Sequence, residues 1–170
     1  MQNIYVFDSN SFITPYNTYY PFDFAPGFWR RLGDEIQKGS IVVLDKVYDE
    51  LVKGDDDLSQ WMKSRKAFQT VTKTDKYTLA QYAKILEYIQ SSEFYKGSAL
   101  LEWAKDSVAD AWLIASAVVH KYTLVTFETP SGGLSVISKS AKAKIPDICD
   151  HFGVEYISLF QAMRELSIQL

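Results

Sequence analysis

Short apolar runs alternate with longer segments of helical periodicity along this chain. Residues 4–7 and 41–44 are rich in β-branched, aliphatic and aromatic side chains, and polar residues follow each run, as is typical of the end of a strand. Residues 123–127 and 154–158 repeat this pattern nearer the C-terminus. Strands separated by helical crossovers predict an α/β fold, in which helices cover both faces of a parallel sheet.

Apolar side chains at helical spacing predict the helices between these strands. We expect one helix to end at Gly39, because glycine commonly follows the last helical turn. Another is expected to begin at Asp45 as its cap and to close at Gly54. Residues 58–101 indicate helix throughout, with no strand. Further helices are predicted over residues 28–38, 106–120, 146–152 and 159–166.

The composition is that of an ordinary globular domain. Of the 170 residues 47% are hydrophobic and 23% charged, so we expect a single domain over residues 1–170. The single cysteine, Cys149, leaves no internal disulfide, and no basic and apolar leader opens the sequence, so we expect a cytoplasmic protein. No apolar run approaches the ~20 residues that span a bilayer, so we expect no membrane partner.

Four acidic residues, Asp8, Glu50, Asp110 and Glu128, each follow a predicted strand or stand at the beginning of a predicted helix. The carboxyl ends of parallel strands meet at one crevice, so these side chains are expected to converge there. Carboxylates packed together repel one another unless a cation lies among them. Mg²⁺ and Mn²⁺ prefer oxygen ligands, and the sequence therefore predicts a site for one of these ions.

Each of these acids also has a simpler explanation when it is taken alone. Asp8 could cap a helix, although the three polar residues 9–11 could do so instead. Glu50 could be a solvated residue on an amphipathic helix. Asp110 interrupts the apolar stretch 108–115 and could be a first-turn acid that the helix dipole stabilises. The joint placement of the acids has no equally simple explanation.

Two further polar residues accompany the acids. Asp106 precedes Asp110 by one helical turn and is either the cap of that helix or a neighbour of the site. Thr126 lies two residues before Glu128, on the same side of the predicted strand. His120 and His151 are not near the acidic motifs, which argues against a ribonuclease with a histidine acid and base.

These motifs resemble those of the PIN-domain nucleases, a family that includes the VapC-type toxins of toxin–antitoxin pairs. Residues 6–13, Val-Phe-Asp-Ser-Asn-Ser-Phe-Ile, resemble the first strand and acid of that family, with Asn10 as a secondary candidate. Residues 110–117, Asp-Ala-Trp-Leu-Ile-Ala-Ser-Ala, are similar to its third motif, in which an acid leads an apolar helix. Residues 47–51 and 124–128 stand where its second and fourth acids occur, and the order and spacing of all four match.

The resemblance implies a three-layer PIN-like fold with a central, mostly parallel sheet of four to five strands. It implies a metal-dependent endoribonuclease, the toxin of a toxin–antitoxin pair, with a small protein antitoxin and frequently a homodimer. Asp8 and Asp110 would bind the principal Mg²⁺ or Mn²⁺, and Glu50 and Glu128 would complete the site or hold a second ion.

Two features depart from the family pattern. The fourth acid of the family is commonly Asp or Asn, so either Glu128 ligates through water or Asp147 supplies that function. The loop over residues 131–144 is long and carries three lysines. With a net charge of −3 the chain has no predicted overall basic face, so this loop is either a solvated segment or a local patch that binds the phosphate backbone. The lysines are Lys139, Lys142 and Lys144.

Other interpretations remain open from the sequence. An aspartyl phosphatase would need a second acid at the position of Asn10, which makes that class a weaker match. A non-catalytic PIN-like module that binds RNA or protein is the principal alternative. The aromatic segment 16–29 lacks periodicity and predicts a lid or loop, where Tyr16, Tyr19 or Trp29 could stack on unpaired RNA bases. For these rings we favour packing in the core.

Overall fold

A central parallel sheet organises the chain. The computed structural model describes residues 3–65, 69–70 and 75–170. The strands lie side by side in the order β3-β2-β1-β4-β5, and every neighbouring pair is parallel. They are β1 (Tyr5–Phe7), β2 (Ile41–Leu44), β3 (Gln69–Thr70), β4 (Thr123–Val125) and β5 (Tyr156–Ile157).

Helices flank this sheet to give three layers, so the expected three-layer α/β architecture is confirmed. A π-helical turn over Pro15–Tyr19 follows the first helix. The helices are α1 (Asn10–Thr14), α2 (Pro26–Lys38), α3 (Asp45–Leu51), α4 (Asp57–Lys63), α5 (Lys76–Ser91), α6 (Gly97–Trp103), α7 (Asp110–His120), α8 (Ile145–Phe152) and α9 (Leu159–Glu165).

Burial explains why the short strands form. All three side chains of β1 are buried, since β1 is the central strand and is covered on both faces. The most apolar helix, α7, packs against β1 and β4 and also against α5. In α2 the buried side chains recur at helical spacing, and the helix ends at Gly39 as predicted, with φ of 82° in the left-handed region.

The prediction that residues 58–101 contain no strand is wrong. Strand β3 pairs with β2, with Val43 opposite Gln69. A strand of two residues at the edge of a sheet is too short to show an alternating pattern. Residues 66–68 and 71–74 of that stretch lie outside the described residues.

Two predicted helix boundaries are also corrected. Helix α7 begins at Asp110 and not at Asp106, because turns and a bend over residues 104–107 and two non-helical residues precede it. Helix α3 begins at Asp45 but ends at Leu51, before Gly54. Both changes bring an acid closer to a helix end, and for Asp110 this places the carboxylate in the first helical turn.

The strand order creates a crevice at the carboxyl ends of the strands. The chain moves outward from β1 through β2 to β3, and it then crosses to the other side of β1 to form β4 and β5. The reversal occurs at β1, and open α/β sheets bind their ligands at such a point. Within the described ranges, no helix combines the length and the hydrophobicity needed to cross a membrane.

Candidate functional site

Asp8 lies at the centre of this crevice, directly after β1. Its backbone N–H donates to the Val125 carbonyl (3.0 Å), which continues the pairing of β1 with β4. The side chain is only 5% exposed, and its Oδ2 accepts a hydrogen bond from the Thr126 hydroxyl (3.0 Å). Burial raises the pKa of Asp8 from 3.8 to about 6, and the charges of Glu128 and Glu50 add to the rise.

Asp110 is the first residue of α7 and lies close enough to Asp8 to be repelled by it. Burial raises the pKa of Asp110 from 3.8 to about 7, and the charges of Asp8, Glu128 and Glu50 raise it further. A helix N-terminus stabilises a carboxylate by about 0.3–1 kcal/mol. Because each pKa unit corresponds to about 1.4 kcal/mol, burial and repulsion outweigh the dipole here. The sequence alternative of a dipole-stabilised acid therefore does not describe this carboxyl.

Ser9 connects Asp8 to the second acid. The Ser9 hydroxyl donates to Glu50 Oε2 (2.5 Å), and this bond holds an exposed side chain of α3 beside β1. The alternative that residues 9–11 cap a helix through their side chains does not describe Ser9 or Ser11. Ser9 precedes α1 without a side-chain cap bond, and Ser11 donates to the Val125 carbonyl (3.0 Å).

Glu128 follows β4 and performs a structural task besides its electrostatic one. Its Oε2 accepts a hydrogen bond from the backbone N–H of Ile145 (2.8 Å), the first residue of α8. Its own N–H donates to the Thr126 hydroxyl (3.1 Å), which in turn donates to Asp8. The extra methylene of glutamate, compared with aspartate, therefore extends to the beginning of α8.

The alternative fourth acid, Asp147, lies elsewhere. Its carboxylate accepts bonds from the Ser131 N–H (3.1 Å) and hydroxyl (2.5 Å). The charges that raise the pKa values of Asp8 and Asp110 include Glu128 and do not include Asp147. Of the two candidates, Glu128 is the one that belongs to the acid cluster.

We define the acid cluster as Asp8, Glu50, Asp110 and Glu128. The charges of the other three residues raise the pKa of Asp110, so the four carboxyls lie near enough to interact. Within the described part of the chain, no three Asp, Glu, His or Cys side chains stand together in an arrangement that could hold a metal ion. Three of the four acids accept hydrogen bonds from protein donors, and the charges of these three raise the pKa of Asp110. The donor chemistry nevertheless fits a hard cation, because two mostly buried carboxyls repel each other and present oxygen atoms only.

A buried lysine fixes the segment that leads to Asp110. Lys46, on α3, is 5% exposed, and its ammonium donates to the backbone carbonyl of Asp106 and to its Oδ1, the latter at 2.7 Å. Asp106 is therefore a neighbour of the site and not the cap of α7. The pair connects the helix that carries Glu50 to the turn before Asp110.

Comparison with known proteins identifies the family of this chain but does not assign an activity to it. A family model matches residues 5–170, nearly the whole chain. The chain belongs to the family described as Domain of unknown function (DUF4411). No curated protein and no solved structure matches the chain. For this DUF4411 domain, the resemblance to PIN-domain nucleases stays a prediction.

The remaining predicted residues differ in their relation to the acid cluster. The Asn10 backbone N–H, and not its amide side chain, contributes by bonding to Asp8. Lys142 lines a pocket of about 520 Å³ that also contains Asp110 and Trp103. Lys144 donates to the Thr129 carbonyl (3.3 Å), and Lys139 is exposed.

Sequence reasoning missed three contributors to this site. Glu102, on α6, lines the pocket with Asp110 and raises its pKa. Lys46 and the Ser9 bond to Glu50 were also unforeseen. A lysine in an otherwise apolar inward pattern was the signal available for Lys46, since Val47 and Leu51 of the same helix are buried. Glu102 gave no signal, because it lies eight residues before Asp110 in a helix with no motif.

Proposed function

We propose that this protein is a metal-dependent endoribonuclease that hydrolyses RNA phosphodiester bonds. The observation that carries the proposal is the acid cluster at the carboxyl ends of the strands, in which Asp8 and Asp110 have pKa values raised to about 6 and about 7. Raised pKa values from burial and from neighbouring carboxylates are typical of functional sites. The order of the four acidic motifs along the chain supports the same class of enzyme.

Asp8 and Asp110 would hold a Mg²⁺ or Mn²⁺ ion, with Glu50 and Glu128 in supporting positions. A bound divalent ion lowers the pKa of water and neutralises charge on a scissile phosphate. Hydrogen bonds within the protein would orient the carboxylates around the ion: Thr126 fixes the Asp8 carboxylate, and Ser9 fixes Glu50. No side-chain nucleophile is needed for hydrolysis of this kind.

The substrate would be single-stranded RNA bound locally. Lys142 lines the same pocket as Asp110, where an ammonium group could contact a backbone phosphate next to the acids. Because the four acidic motifs resemble those of PIN-domain nucleases, we also propose that the protein is the toxin of a toxin–antitoxin pair, with a protein antitoxin as partner and a homodimer as the assembled form.

A second candidate function is a non-catalytic module that binds RNA or protein. It is favoured by the bonds that hold Glu50 and Glu128 to Ser9 and to the Ile145 N–H. If these bonds persist, Glu50 Oε2 and Glu128 Oε2 are already occupied by protein donors. A protein of this class would bind RNA and leave it intact.

The test is cleavage of a mixed single-stranded RNA pool by the purified protein, with Mg²⁺ or Mn²⁺ and with chelator. We expect cutting that requires the metal and that Asp8→Asn and Asp110→Asn each abolish, because each removes a ligand charge while it keeps the side-chain size. Asp147→Asn is the matched control and should cut like the wild type. Full activity in Asp110→Asn would refute the site, and intact RNA bound by the wild type would favour the second candidate.

A further inference from the structure

A second pocket adjoins the acid cluster at the carboxyl ends of β4 and β5. It has a volume of about 400 Å³, within the range of about 300–1,000 Å³ that is typical of small-molecule sites. Glu128 and Thr126 contribute to its wall, and both belong to the hydrogen-bonded chain that ends on Asp8. A molecule in this pocket would therefore lie beside the proposed catalytic acids.

Aromatic rings form much of the pocket wall. Tyr19 lies nearly parallel to Phe127, with an interplanar angle of 12° and centroids 6.3 Å apart. Phe160 stands at 75° to Tyr19 and at 86° to Phe127. Tyr156 also lines the pocket. The cluster thus presents both ring faces and ring edges, which are the surfaces that flat aromatic ligands contact.

Tyr19 is the ring in this cluster that is not explained by core packing. It is 44% exposed, and the π-helical turn Pro15–Tyr19 carries it over the pocket. Trp29, by contrast, is 2% exposed and donates its indole N–H to the Tyr20 carbonyl (2.6 Å). Tyr16 packs edge-on against Phe22 and Trp29. The expectation of core packing thus describes Trp29 and Tyr16 and does not describe Tyr19.

The two pockets differ in the part of a nucleotide that they suit. The pocket with Asp110 contains Lys142, which suits a phosphate, whereas the wall of the second pocket is aromatic and also includes Ser158 and Gln161. Asp110 and Glu128 interact electrostatically, so the two pockets flank one acid cluster. A single strand that crosses the acids could place its backbone near Lys142 and one base near Tyr19.

We propose that the pocket of Tyr19, Phe127 and Phe160 binds an unpaired nucleobase of the RNA, next to the phosphate held at the acid cluster. The inference rests on the proposed function, since the acids define where the phosphate lies. Stacking on an aromatic side chain tolerates any base, so this pocket would favour single-stranded over paired RNA more than it would select a sequence.

The test measures base stacking without cleavage. A set of short single-stranded RNAs, each with one 2-aminopurine at a different position, is titrated against the Asp110→Asn protein, whose fold is checked by its melting curve. Stacking quenches 2-aminopurine emission, so we expect quenching on binding. Tyr19→Leu in the same background should lose that quenching and weaken binding by roughly five- to a hundredfold, the range of a lost base–aromatic stack. Phe160→Leu should act in the same direction.

Tyr77→Leu is the matched control, because Tyr77 is 64% exposed on α5 and lines none of the pockets described above. It should bind and quench like its parent. Equal quenching in the Tyr19→Leu, Phe160→Leu and parent proteins would overturn the nucleobase pocket, as would binding without any quenching at every labelled position. Cleavage by the wild type with no Tyr19 effect would refute this pocket alone. Quenching that depends on Tyr19, without cleavage by the wild type, would instead refute the enzyme and leave the pocket standing.

Discussion

Acidic side chains have different environments at the two ends of the sheet. At the amino ends of the strands, Glu165 accepts a hydrogen bond from the Tyr5 hydroxyl (2.5 Å), and this bond lowers the pKa of Glu165. Glu35 pairs there with Lys38 at 2.7 Å. At the carboxyl ends, Asp8 and Asp110 instead have raised pKa values, because burial and neighbouring carboxylates outweigh the few donors that they have.

The arrangement of acids at the amino ends of the strands stabilises the fold, whereas the arrangement at the carboxyl ends destabilises it. A carboxylate with a donor and access to solvent needs no further partner. Two mostly buried carboxyls that repel each other lower stability at neutral pH, unless a ligand compensates them. Sites that carry such a cost are commonly functional, which is why the proposed activity is assigned to the carboxyl end of this sheet.

The largest expected effect is on stability without metal. Asp110 has a pKa of about 7 in the folded protein and 3.8 ordinarily, so the folded state binds its proton more tightly. The stability that this proton contributes is fully present below pH 3.8 and is lost as the pH rises through about 7. In chelator at pH 8, Asp110→Asn should therefore be more stable than the wild type, by on the order of 2 kcal/mol after allowance for the partial exposure of this carboxyl to solvent.

Urea unfolding of both proteins from pH 4 to pH 8 measures this effect. The difference between them should grow as the pH rises, and Asp147→Asn should show no comparable gain. A constant difference across this range would contradict the raised pKa.

A smaller effect is expected at Lys46, which holds the turn before Asp110. Lys46→Met keeps the buried aliphatic stem but removes the ammonium that holds Asp106. A hydrogen bond to a charged group contributes about 1.5–3 kcal/mol, and the exposed Asp106 side chain reduces this, so we expect a loss of about 1–2 kcal/mol. We also expect weaker cleavage, because the turn before Asp110 is released.

Lys38→Met is the matched control for Lys46, because Lys38 is 62% exposed and forms an exposed pair with Glu35 at the amino ends of the strands, away from the acid cluster. An exposed pair contributes about 0–1 kcal/mol, so this variant should unfold almost like the wild type. Guanidinium unfolding and RNA cleavage of the two variants give the comparison. Equal losses in both would mean that Lys46 does not support the site.

The smallest effect is expected at the amino ends of the strands. Tyr5→Phe removes the bond to Glu165 and leaves the ring in the core, so we expect a loss of about 0.5–1.5 kcal/mol and unchanged cleavage. Thermal unfolding and the RNA assay check both parts. A loss of cleavage here would break the distinction between the two ends of the sheet.

The sequence predicted the convergence of the acids because parallel strands bring their carboxyl ends to one crevice. Asp8, Asp110 and Glu128 needed only the strand pattern and the order of the elements. The sequence pattern could not predict the side-chain partners of the acids. The Ser9 bond to Glu50 and the Glu128 bond to Ile145 join residues that are 41 and 17 positions apart. Strand β3 was missed because its pairing with β2, and not its own pattern, makes it a strand.

The exposed aromatic at the second pocket illustrates the same limit. Tyr16 and Tyr19 were equivalent in the sequence, since both belong to a segment without periodicity, whereas Trp29 also lies in the predicted helix over residues 28–38. Only tertiary packing distinguishes the two tyrosines, because Tyr16 packs against Phe22 and Trp29 while Tyr19 is 44% exposed. Sequence pattern thus predicted which region to examine, and packing determined which ring is accessible.

The melting temperature with and without millimolar Mn²⁺ tests the central claim, that the acid cluster is a cation site. At a hundred times its dissociation constant, a ligand stabilises the folded state by about 2.7 kcal/mol, which corresponds to roughly 5–10 °C for a domain of this size. We expect that rise for the wild type at pH 8, and little or none for Asp110→Asn. An unchanged melting temperature of the wild type, or an equal rise in Asp110→Asn, would contradict the account.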